Sequence, residues 1–161
     1  MSDRLIAYHG SQAEKDAIMA QLAGHRAADE IVNGLYWEKG KGCAVGCTIH
    51  SGKHAEYEPR FGIPVQIAYL EDDIFEALYT LDPASAKAWP ERVMGAIKPG
   101  ADLSRVWPKF AIWMLVDPAD GVLQFTTEND SIAFIKAVAA FYEAPSAETE
   151  AAAWAAWAAW A

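Results

Sequence analysis

Cys43, Cys47, His50 and His54 fall within one stretch of twelve residues. Thiolates and imidazoles are the usual ligands of zinc, and four of them complete a structural site. A helix running through all four would place them within about 60° on one face. Eleven residues of straight helix rise about 16 Å, whereas zinc ligands lie about 2 Å from the ion. A zinc site built from this set therefore requires the chain to reverse at Ser51-Gly52 and fold His54 back. The three residues between the cysteines depart from the two that zinc knuckles favour.

The same segment supports two other readings. Cys43 follows Gly42, with Lys39 and Lys41 nearby, and a thiol at a helix N-terminus beside cations is activated as a nucleophile. Cys47 would then resolve a disulfide, or His50 or His54 would act as base. The competing reading makes both cysteines small buried side chains one turn apart, the commoner fate of free cysteine. His25 and Asp29, four residues apart, form a weaker pair that a solvated contact explains equally well. Glu71, Asp72, Asp73 and Glu76 lack an accompanying Glu-x-x-His and read as a solvated helix face. The chain contains neither a phosphate-binding glycine loop of the common patterns nor a Gly-x-Ser-x-Gly elbow.

The second feature with chemical consequence is the tail. After Pro145 the chain becomes an Ala/Trp pattern that begins with Ser146, a helix cap, and has Glu148 and Glu150 in the first turn. Trp154, Trp157 and Trp160 recur every third residue, so their indoles cover one broad face of a helix. A face of that kind seeks cover, from the body of the protein, a second copy or a partner. With only Glu for polar charge it lacks the Lys and Arg of a membrane-surface helix. The expected organisation is a helical body over 1–144 and a helical tail over 145–161.

Composition narrows the class. The chain of 161 residues has hydrophobic residues at 53% and charged ones at 22%, the profile of a folded domain. Its net charge is −9, with six Lys/Arg against fourteen Asp/Glu after residue 60, which disfavours general nucleic-acid binding. Two closely spaced cysteines do not make a disulfide scaffold. The first residues carry no secretory pattern and no apolar run approaches bilayer length, so a soluble protein of the cytoplasm is expected.

Helical periodicity dominates the positions between these features. Ser11 and Glu14 form a capping box ahead of a first helix that Gly24 threatens to divide and Asn33-Gly34 ends. A short helix is expected from Cys43 to His50. Pro64 opens a longer one with an apolar stripe of Ile63, Ile67, Leu70, Ile74 and Leu78, stopped by Asp82-Pro83. A short helix carries Trp89, Val93 and Ile97, and Asp102 is placed to cap the next. Residues 122–127 form the one plausible strand, and Asp130 or Ser131 caps a helix through Phe141. The expected fold is an all-α bundle of about six helices.

Tyr36-Trp37-Glu38-Lys39-Gly40-Lys41-Gly42-Cys43-Ala44-Val45-Gly46-Cys47, Phe61-Gly62-Ile63-Pro64, Leu70 to Glu76 and Gly100 to Ser104, with the Ala/Trp-rich tail, resemble a family of uncharacterised bacterial and phage-associated proteins. In that family such a body precedes a long Ala-rich helical tail. The resemblance covers most of residues 4–116 and the tail, and it implies no activity and no catalytic residues. The expected function is a non-enzymatic helical module that binds itself or another protein through Trp154, Trp157 and Trp160. The alternative is a metal-binding (zinc) or thiol-dependent protein centred on Cys43, Cys47, His50 and His54.

Overall fold

The computed structural model describes residues 4–160, the side chain of Trp160 excepted. The fold is all-α. Six helices have eight residues or more: α1 (Gln12–Ala27), α4 (Val65–Leu81), α6 (Trp89–Ala96), α7 (Val106–Val116), α8 (Asn129–Glu143) and α9 (Ala147–Trp160). Three shorter ones, α2 (Ala44–Ile49), α3 (Tyr57–Phe61) and α5 (Pro83–Lys87), fill the connections. The chain divides between Ser104 and Arg105 into two compact units. The compositional boundary expected at Pro145 lies inside the second unit, between α8 and α9.

Local chemistry explains most helix limits in the first unit. The Ser11 hydroxyl accepts from the Glu14 amide and starts α1, which then runs unbroken through Gly24. Asp82 ends α4, and its carboxylate accepts from the Ala84 and Ser85 amides to start α5. Asp102 does not cap a helix as expected. It accepts from the Ser104 amide and pairs with Arg4 at 2.7 Å, while α7 begins at Val106.

A small hairpin, absent from the sequence reading, joins β1 (Trp37–Glu38) to β2 (Lys41–Gly42). Lys39 and Gly40 turn it with φ of 51° and 83°, the paired positive angles of a type I′ turn. The strand expected at 122–127 is instead a 3-10 turn over Val122–Phe125.

Residues from α1, α2, α3, α4 and α6 make up one hydrophobic core, with Leu22, Ile31, Val45, Tyr57, Phe75 and Met94 buried at its centre. The apolar stripe expected for α4 is not its buried face. Ala68, Glu71, Asp72 and Phe75 turn inward, Ile74 is exposed, and Ile67 and Leu78 flank the core. Two carboxylates expected in solvent are therefore buried, because α4 is flanked on both sides and its most enclosed positions find polar partners.

In the second unit α7 packs on α8 and α8 on α9. Its only buried apolar side chains among the described residues are Ala111 and Ala139. No helix among the described residues is long and apolar enough to cross a membrane.

Candidate functional site

The four residues proposed as zinc ligands all lie near α2 and go to different places. Cys43 is the N-cap of α2, its sulfur accepting from the Gly46 amide at 3.4 Å and facing the Tyr36 carbonyl at 3.8 Å. One turn on, the Cys47 thiol donates to the Gly42 carbonyl at 3.4 Å. Both side chains are buried in the core. Burial raises both thiol pKa values, Cys43 well above its ordinary range with help from the Asp72 carboxylate beside it, and Cys47 to about 12. Both thiols are neutral at physiological pH, and a neutral thiol is a poor nucleophile.

The glycines of this segment have a packing role. A Cβ on Gly46 would stand 1.5 Å from the Tyr36 carbonyl oxygen, and one on Gly42 would stand 2.2 Å from the same atom. Gly-Cys-Ala-Val-Gly-Cys is thus the sequence that lets the backbone before the hairpin lie directly against α2.

His54 is buried, donating from Nε2 to Asp72 at 3.0 Å. Its ring stacks on Tyr69 at 4.6 Å, with Tyr36 edge-on at 5.6 Å. Asp72 is therefore shared by Cys43 and His54. It also lines a cavity of about 260 Å³ with Gly34, Leu35, Tyr36, Asp73 and Glu76, where the Glu76 carboxylate is tied to the Gly34 amide. Beside it, Glu71 is 1% exposed and accepts from the Tyr57 hydroxyl at 2.8 Å, while its Oε1 is buried without a hydrogen-bond partner among the described residues. Burial pushes its pKa up to about 8, with a smaller push from Asp72 and an opposing pull from Tyr57, so it is a neutral acid at pH 7.

His50 turns the other way. It ends α2 in the left-handed conformation, φ 53° and ψ 37°, and its ring stacks on Trp37 at 4.4 Å with only 14° between planes. Its Nε2 faces Nε2 of His25 at 2.8 Å, and Nδ1 of His25 donates to Glu30 at 2.6 Å. The sequence reading paired His25 with Asp29; in the fold Asp29 binds Lys87 instead. The link from α1 to the end of α2 spans 25 residues, a separation at which neither periodicity nor a motif carries a signal. Among the described residues, no three His, Cys, Asp or Glu are grouped so as to hold a metal ion.

The chain matches no protein-family model, no curated protein and no solved structure. Function therefore has to be read from the geometry.

The second candidate lies on the C-terminal unit. Ser146 caps α9 by accepting from the Thr149 amide at 3.1 Å. Trp154 and Trp157 are 64% and 45% exposed and meet edge to face, ring centres 5.9 Å apart. With Phe134, Val138, Phe141 and Tyr142 of α8 and Glu150 and Ala153 of α9, they line an open groove of about 280 Å³ whose walls are mostly apolar. Val122, Trp113, Met114 and Phe125 of the same unit are also exposed. The third tryptophan of the pattern, Trp160, has a side chain outside the described residues.

Proposed function

We propose that this protein is a helical interaction module whose C-terminal unit associates with a second copy through the Trp154/Trp157 face. The observation that carries the reading is the contrast between a unit whose buried side chains, among the described residues, are alanines and the large aromatic groups it leaves open. A helix apolar all round belongs in a core. From Ala151 to Trp160 α9 has no polar side chain, yet its described contacts cover only the side toward α8.

A second copy fits for reasons of shape and charge. The groove is mostly apolar, with Glu150 at its edge, and α9 itself presents a rod with small side chains between large ones. Its only charges, Glu148 and Glu150, sit in the first turn, so an antiparallel partner helix places the two acidic ends far apart. Aromatic anchors of this kind dominate the energetics of interfaces.

The alternative centred on Cys43, Cys47, His50 and His54 has weaker support. Its thiols are neutral and occupied within the core, and its histidines are committed to different partners.

Sedimentation of the full chain and of a W154A/W157A variant tests the proposal. A dimer that becomes monomeric in the variant is expected. A wild-type chain that stays monomeric at high micromolar concentration would overturn it.

A further inference from the structure

The geometry points to a surface site on the first unit that takes one divalent transition-metal ion, zinc or copper, between Nε2 of His25 and Nε2 of His50. The two ring nitrogens face each other at 2.8 Å. Two imidazoles on a tetrahedral ion, each about 2.05 Å from it, lie about 3.3 Å apart. The rings need part by only about half an ångström to admit the ion.

Two further observations prepare these nitrogens for a metal. Glu30 is acceptor-only as a carboxylate, so Nδ1 of His25 carries a proton and, in the neutral ring, its Nε2 presents a lone pair. A carboxylate behind a ligating histidine is the common outer support of metal sites, orienting the ring and raising its basicity. Trp37 clamps the His50 ring flat, and the His50 backbone holds a positive φ that a non-glycine residue seldom adopts.

In the metal-free state the proton between the rings resides on Nε2 of His50, because Nε2 of His25 is the acceptor. When the ion enters, that proton moves to Nδ1 of His50, and both Nε2 lone pairs coordinate. No proton is lost and no oxidation occurs. Water or an external donor completes the coordination, since no third His, Cys, Asp or Glu of the described residues is placed to do so. Imidazole donors select zinc, copper or nickel over calcium and magnesium. Of the four residues singled out in the sequence, this site uses only His50, and it leaves Cys43, Cys47 and His54 out.

Titration of tag-free, full-length protein with Zn2+ by calorimetry and with Cu2+ by electron paramagnetic resonance tests the site. One equivalent is expected, with nitrogen hyperfine structure from two imidazoles in the copper spectrum. H50Q and H25Q should each weaken binding at least tenfold, and E30Q about tenfold through the lost support. H54Q, H9Q and C43S/C47S should leave it unchanged. Binding that survives both H25Q and H50Q, or that disappears in C43S/C47S, would overturn the assignment. Should H25Q fail to fold, the nitrogen count in the wild-type copper spectrum decides the matter alone.

Discussion

The two units of this chain spend their hydrophobic residues in opposite ways. In the first, large side chains such as Tyr8, Tyr57, Phe75 and Met94 are fully enclosed, and even a glutamate lies among them. In the second, the buried side chains among the described residues are alanines, while Trp113, Trp154, Trp157 and Phe125 are exposed, Phe125 at 81%. One half thus has a self-sufficient core and the other an unfinished one. The difference lies in connectivity. The first unit has a hairpin, 3-10 turns and short helices that wrap its long helices, whereas the second is three helices in succession with one 3-10 turn between the first two. Such a succession leaves its outer faces open.

If that contrast is correct, perturbations of the first unit change stability and perturbations of the second change association. The largest effect is expected from E71Q measured against pH. Glu71 is raised from 4.5 to about 8, so the folded state holds this proton more tightly than the unfolded chain. Wild-type stability from this group is full below pH 4.5 and lost as pH rises to 8. Gln does not titrate, so denaturation of E71Q should gain on wild type by about 4 kcal/mol between pH 4.5 and pH 9. A constant difference across that range would show that Glu71 is hydrated and the core is not closed around it.

Next in size is G46A, which drives a methyl group into the Tyr36 carbonyl. It should cost the first unit about 3 kcal/mol in urea titration and leave the α8/α9 helices intact. Loss of both units together would mean that they fold as one cooperative block. The W154A/W157A pair should raise the dissociation constant about 100-fold, a loss of about 2.7 kcal/mol, without shifting the urea midpoint of the first unit. A lowered midpoint instead would make the tryptophans internal supports rather than a contact face. The smallest change is expected from S11A, about 1 kcal/mol of first-unit stability through the lost cap of α1.

What could be read from the residues alone was what nearest neighbours decide. Ser11 with Glu14, Asp82-Pro83 and Ser146 carry their meaning within a few positions, and all three mark helix limits in the structure. The hairpin at 37–42 escaped because strands of two residues show no alternation, and its Lys-Gly turn resembles any flexible loop. Glu71 and Asp72 were misjudged because charge predicts exposure only when no buried partner exists, and Tyr57 and His54 lie 14 and 18 residues away. The His25–His50 link was illegible for the same reason, since its members meet only after α1 and α2 have packed. Cys43 and Cys47 were found, yet their neighbours decide whether they are ligands or filling, and spacing cannot name neighbours.

The opening residues of the first unit are stitched to its last ones. Ala7 and Ala101, Gly100 and Ala7, and Leu103 and Leu5 exchange backbone hydrogen bonds of 2.7–2.9 Å, and Arg4 clasps Asp102. Beginning and end of the unit therefore meet at one seam, which gives it the geometry of a ring cut at a single point. Such a ring can be cut elsewhere. Joining residue 104 to residue 4 through a short linker and opening new termini in the Lys39-Gly40 turn would preserve every long-range contact of the core. A unit whose ends meet in this way suits insertion into a loop of a host protein whose two loop ends stand side by side.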